Sequence, residues 1–131
     1  MGFCSRSIWS WNTLHEALFH PRTMARTITW YAGSRLLYYR TGLNGRTTNV
    51  EYPDLPGRSG TSYILPCLYS HSPLDLVIIN KGINDIKVIF DRSMMEISEG
   101  MAEIIDLIKS TSYGPDMQGP PQILLLSPSS L

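Results

Sequence analysis

Hydrophobic and polar positions fall into two regimes that meet near Thr41. Met1 to Arg40 shows little period of either kind; Ser5–Trp11 and Thr23–Tyr31 mix Trp, Arg, Thr and Ser without a clear apolar face. After Gly42 the pattern is readable. Ile64, Leu65 and Leu68 recur at helical spacing, which predicts a short helix over Thr61–His71 with Pro66 in its first turn and Ser72-Pro73 as its stop. Leu74 to Ile79 is a nearly continuous apolar run with β-branched residues, the pattern of a parallel strand buried on both faces. Ser93-Met94-Met95-Glu96 has the spacing of a capping box. Beyond it Ile97, Met101, Ile104, Ile105 and Ile108 share one helical face, and Lys109 suits the negative end of the helix dipole. A Gly/Pro-rich connection, Tyr113–Pro121, leads to a second buried strand over Ile123–Leu126. Strand, helix, strand predicts a right-handed parallel unit and an α/β fold.

The loops carry the chemistry in such a fold, because the functional crevice lies beyond the carboxyl ends of the strands. Gly82-Ile83-Asn84-Asp85, within the Lys81–Lys87 loop, is at one such end and Ser127-Pro128 at another. Gly42 to Thr48 reads as a loop whose glycines permit positive φ or close approach to a ligand, and Glu51–Gly60, with two prolines and two glycines, is a second loop.

Composition narrows the classes. The chain has 131 residues, 43% hydrophobic and 17% charged, with zero formal net charge: one small globular domain by size. Clustered Lys and Arg are lacking, which argues against nucleic acid. No apolar stretch approaches a bilayer span, and the N-terminus has no signal-type apolar segment. Cys4 and Cys67 are far apart, without C-x-x-C spacing, and read as free thiols in a cytoplasmic, reducing compartment. Metal spacing, a phosphate loop and paired acids are all missing, so no metal or cofactor is expected.

On residue types alone the candidate site stays open. Asn84 could donate its amide to a developing oxyanion, or cap its own turn with Asp85; the turn is the favoured reading. Gly45 could present its N–H to a ligand or be a plain turn glycine. His71 with Asp75 suggests a catalytic pair, but a C-terminal helix histidine is favoured, and Asp75 lies at the wrong end of its strand. His15 and His20 have no evident partners, and Met94, Met95 and Met101 read as core or helix surface.

Several stretches in register resemble the SGNH (GDSL-like) hydrolases, in particular the bacterial arylesterase and acyltransferase-like branch. They are Gly42-Leu43-Asn44-Gly45-Arg46-Thr47-Thr48, Ser70 through Ile79, Gly82-Ile83-Asn84-Asp85-Ile86-Lys87 and Ile123 through Pro128. The resemblance covers about residues 38 to 131. It implies a three-layer α/β/α flavodoxin-like sandwich, present here in part, that hydrolyses or transfers acyl groups through a serine. It places one oxyanion donor on Gly45 and the other on Asn84, with Asn44, Arg46, Gly82 and Asp85 as the supporting loops. Ile83 stands where this branch usually has Thr.

The departures from that pattern bear on activity. Aligned on Trp9, the nucleophile position of the family's first block falls on Arg6, and the D-x-x-H block has no counterpart before Leu131. A serine nucleophile needs a base and the base an orienting group, and neither can be assigned. Residues 1–41 also admit a reading one base out of frame. Tyr38-Tyr39-Arg40-Thr41 can then encode Ile-Ile-Glu-Gln, Thr23 to Arg26 can encode Arg-Trp-Pro-Gly, and Met1-Gly2-Phe3 can encode Trp-Gly-Phe. All three match the family in register. The expectation is therefore a segment 1–41 without a selected fold, with Met1 an accidental start, followed by a partial hydrolase domain, 42–131. The expected function is a carboxylic ester hydrolase acting on small esters, inactive as it stands and prone to self-association. The alternatives are a non-catalytic α/β binding module, or an enzyme using Ser5 or Ser7.

Overall fold

A computed structural model describes residues 27–31 and 34–127. The chain divides at Gly42/Leu43 into two compact units. In the first, β1 (Thr27–Tyr31) pairs antiparallel with β2 (Ser34–Tyr38), Thr27 opposite Tyr38 and Tyr31 opposite Ser34. No amphipathic alternation announces this hairpin. Thr, Ile, Trp and Tyr nevertheless favour extended backbone, and that preference is visible in residue type. Cys4, Ser5, Arg6, Ser7, His15 and His20 lie outside the described residues.

The second unit holds α1 (Gly60–His71), β3 (Leu76–Asn80), a 3₁₀ turn (Val88–Phe90), α2 (Met94–Lys109) and β4 (Gln122–Leu126). β3 and β4 run parallel, Leu76 opposite Gln122 and Asn80 opposite Leu126. This is the α/β arrangement the sequence predicts, with boundaries moved by one or two residues. Leu74 and Asp75 do not join β3, because Leu74 N–H donates to the Tyr113 carbonyl and the Asp75 carbonyl accepts from Gln122 N–H. They tie the strand's entry to the segment leading into β4 instead.

Pro66 departs from expectation. Helix α1 begins at Gly60, which puts Pro66 inside the helix and past its first turn. Its missing N–H deprives the Ser62 carbonyl of its usual partner. The proline is exposed, so water can reach that side of the helix, and Ser70 Oγ donates to the Pro66 carbonyl at 2.7 Å.

Helix α2 starts as its sequence directs. Ser93 Oγ accepts from Glu96 N–H while a Glu96 carboxylate oxygen accepts from Ser93 N–H, completing the capping box. The Ser93 hydroxyl and backbone N–H hold the Glu96 carboxyl below its ordinary range. Ile97, Ile104 and Ile108 on its inner face are buried, and Ile104 and Ile108 join Leu68 of α1 and Ile79 of β3 in the core. Met101, Ile105, Val77 and Ile123 pack around them, whereas Met94 and Met95 lie on the surface. Leu124 and Leu125 of β4 remain exposed, and the described sheet has only these two strands.

Gly100 reports how closely α2 approaches the 43–49 loop. A Cβ there would stand 2.5 Å from Thr48 Oγ1 and 2.6 Å from Asn49 Oδ1. In an exposed helix, Gly→Ala gains up to about 1 kcal/mol. Here Gly100→Ala is expected to destabilise by about 1–3 kcal/mol, because the helix must back away from a buried, hydrogen-bonded threonine. Urea denaturation checks the sign; a stabilised variant would mean the loop yields freely.

Candidate active site

Leu43 to Arg46 closes a tight turn, with Arg46 N–H donating to the Leu43 carbonyl at 3.1 Å. Gly45 occupies its third position with φ +80°, the conformation a type II turn demands and the reason for glycine. The turn consumes the Arg46 N–H. No described protein group accepts the Gly45 N–H, so it remains available to a ligand.

A second turn follows β3. Asp85 N–H donates to the Gly82 carbonyl at 3.1 Å, and Gly82 has φ +107°. The Asn84 amide nitrogen donates to the Arg46 carbonyl at 3.1 Å. Because a carbonyl can only accept, the contact fixes which end of the amide is nitrogen. One amide hydrogen is thereby committed and the other is left. A single residue, Arg46, links the turn of Gly45 to the side chain of Asn84, its N–H closing the turn and its carbonyl accepting from the amide.

Asp85 binds the same two loops more tightly. Its carboxylate is fully buried and accepts Thr48 N–H on both oxygens at 3.0 Å and the Thr48 hydroxyl at 2.5 Å. Arg92, at the threshold of α2, donates to Asp85 at 2.9 Å and to Thr48 Oγ1 at 3.0 Å, while its other amino group meets the Glu96 carbonyl. The two oxyanion candidates are thus mounted on loops clamped to a helix N-terminus.

Outer contacts fix the frame. Thr47 N–H donates to the Arg58 carbonyl, Thr61 N–H to the Thr48 carbonyl, and the Arg58 guanidinium to the Asn44 carbonyl. Glu51 accepts from Arg58 N–H and the Ser62 hydroxyl, bracing the long loop. Lys87 donates to the Tyr52 hydroxyl at 2.8 Å, and the Tyr52 and Phe90 rings meet edge-on. The buried Arg46 guanidinium lies 3.6 Å from the Tyr63 ring centroid. Lys81, half-buried at the end of β3, has its pKa pushed down to about 8, chiefly by burial and further by Arg46; Asp85 partly opposes this.

The candidate residues thus separate by role. Gly45 and Asn84 come together through Arg46. Asn44 supplies a carbonyl to Arg58, Gly82 starts the Asn84 turn, and Asp85 is the buried staple. His71 instead donates its Nδ1–H to the Cys67 carbonyl at 2.7 Å, a contact within its own helix, and Cys67 is a free thiol. Sequence reasoning missed Thr48, Lys81 and Arg92. Arg92 had a local signal, a cation just ahead of a capping box, but its partner lies seven residues back across a loop. Among the described residues no group of three or more His, Cys, Asp or Glu side chains is placed to hold a metal, and no helix is long and apolar enough to cross a membrane.

Solved structures of esterases are similar to this chain in sequence and fold. An inhibitor-bound aryl esterase of M. smegmatis is 38% identical, with a TM-score of 0.66, over 71% of this chain and 44% of that one. A carbohydrate acetylesterase from Sinorhizobium meliloti is 36% identical, with a TM-score of 0.66 over the same shares. The native M. smegmatis aryl esterase is 36% identical at 0.61, over 67% and 41%. No protein-family model and no curated protein matches the chain. The chain is a relative of the SGNH/GDSL-like esterases and spans less than half the length of these structures.

Removing the staple tests how far the site depends on it. Asp85→Asn strips Arg92, whose side chain is 9% exposed, of its counter-charge, and breaking a buried pair from one side typically costs about 3–5 kcal/mol. We expect a loss of that size in urea denaturation, with Thr48 amide protection lost in hydrogen exchange. A loss below about 1 kcal/mol, the range of surface pairs, would contradict the clamp.

Proposed function

We propose that this chain supplies the oxyanion side of a serine-type carboxylic ester hydrolase acting on small esters. The observation that carries the reading is the pairing of an unclaimed Gly45 N–H with an Asn84 amide oriented by the Arg46 carbonyl. Attack on an ester carbonyl develops negative charge on its oxygen, and two donors set in advance stabilise that charge without reorganisation. Kinship with aryl esterase and carbohydrate acetylesterase structures supports the same class of substrate. No nucleophile or base is assignable among residues 34–127. The proposal therefore includes inactivity of the 131-residue chain and an out-of-frame origin for residues 1–41. A free Cys67 fits the cytoplasmic placement included in it.

The 131-residue chain is expected to give no measurable turnover of a short-chain aryl ester. Restoring the frame through residue 41, with an upstream G-D-S block and a downstream D-x-x-H segment, is expected to restore turnover. In that repaired protein, Asn84→Ala is expected to lower turnover by about 10²- to 10³-fold, the usual effect of losing one oxyanion donor. Turnover by the unrepaired chain that Ser5→Ala or Ser7→Ala abolishes would establish a different nucleophile. A repaired protein that binds a partner but never hydrolyses ester would establish the binding-module reading.

The exposed Leu124, Leu125, Val88 and Ile89, with only two strands in the described sheet, support self-association. Sedimentation velocity is expected to show mass rising with concentration. A strictly monomeric chain with a sharp, cooperative melt would count against this.

A further inference from the structure

Tyr52 touches both of the turns that carry the oxyanion candidates. A side chain begun at Gly45 would stand 3.5 Å from the Tyr52 hydroxyl and 3.4 Å from an Arg58 guanidinium nitrogen. On its other side the same hydroxyl accepts from the Lys87 ammonium at 2.8 Å. Lys87 continues the Asn84 turn, its backbone N–H donating to the Asn84 carbonyl at 3.4 Å. Lys87 Nζ lies 5.4 Å from the Tyr52 ring centroid, nearly twice its distance to the oxygen, so the ammonium sits beyond the hydroxyl and not over the ring face. The ring itself is held edge-on against Phe90, with centroids 4.8 Å apart.

An ammonium only donates, so the Tyr52 oxygen accepts from Lys87 and keeps its own hydrogen to give elsewhere. Among the described residues nothing accepts that hydrogen, which is left for solvent or a ligand. Two bonds, about 2.5 Å, separate a Cβ from its own nitrogen, so the Tyr52 oxygen is within about 6 Å of the Gly45 nitrogen. One oxygen accepting from both at ordinary lengths spans up to about 5.7 Å. We propose that Tyr52 is a third hydrogen-bond donor to the ester oxygen held by Gly45 and Asn84, and that Lys87 is a positioning residue acting through it. The proposal rests on the oxyanion reading of Gly45 and Asn84. The ammonium fixes the phenol and polarises its O–H bond. Arg58, donating to the Asn44 carbonyl, places a further positive charge on the same side of Gly45. Such a set favours an oxygen that carries charge over a neutral carbonyl, which is the difference that speeds attack on an ester.

The test is binding, which needs no turnover. Acetate, whose charged oxygen stands in for the developing oxyanion, is titrated into the 131-residue chain. Binding is followed by the NMR signals of the Gly45 N–H, the Asn84 side-chain amide and the Tyr52 ring, which are expected to move along one saturation curve. Tyr52→Phe keeps the ring and its contact with Phe90. It is expected to weaken acetate binding about tenfold, the low end for a hydrogen bond to a charged acceptor, without moving the Gly45 and Asn84 signals of the free chain. Lys87→Met is expected to weaken binding in the parent chain and to add nothing in the Tyr52→Phe background, because the ammonium acts through the phenol. Acetate binding equally tight in Tyr52→Phe, or a Lys87→Met loss that is as large without the phenol as with it, would overturn the proposal. In either case, Gly45 and Asn84 signals that still move leave the oxyanion reading standing. If acetate moves neither the Gly45 nor the Asn84 signals, the oxyanion reading falls and the role of Tyr52 falls with it.

Discussion

A buried carboxylate must be fully partnered, and around Asp85 that requirement organises the unit. From its turn after β3 it takes partners at two other places in the chain: the 43–49 loop through Thr48 and the approach to α2 through Arg92. Moving either of them would leave a charge or a polar group stranded in a dry environment. The close seating of Gly100 against Thr48 and Asn49 follows, because α2 must come near enough for Arg92 to reach the carboxylate.

The candidate site depends on that staple. Neither Gly45 nor Asn84 belongs to a helix or strand, and loops hold positions only when something rigid holds the loops. Two local turns set the backbone, each with a glycine at positive φ. The Arg46 carbonyl then orients the Asn84 amide, and Asp85 locks the two turns together. Lys81, half-buried just after β3, has its proton loosened chiefly by burial and further by Arg46, with Asp85 partly opposing.

The core is small. Leu68, Ile79, Ile104 and Ile108 form its buried centre, with half-buried neighbours from both helices and both strands. Leu124 and Leu125 stay exposed on β4 although their residue types belong in a covered sheet. The esterase structures that share this arrangement are more than twice as long as the part they have in common with it.

What the sequence determined by itself is what depends on neighbours a few residues away. The period of Ile97, Ile104 and Ile108 specified α2, the Ser93/Glu96 spacing specified its start, and the apolar runs specified β3 and β4. The block Gly82-Ile83-Asn84-Asp85 marked the site, because its residue types match a known pattern at the end of a strand. Asn84 alone could not be separated from an ordinary turn asparagine. Its hydrogen bond runs to a carbonyl thirty-eight residues away, and nothing in local spacing encodes that partner. Asp85 was legible only as loop support, since its burial comes from Thr48 and Arg92 arriving from elsewhere. Lys81 gave no sequence signal at all: a lysine after a strand is ordinarily solvated, and only the tertiary structure half-buried it and so lowered its pKa. The β1–β2 hairpin has the opposite origin, since backbone preference and cross-strand pairing formed it where no period could be read.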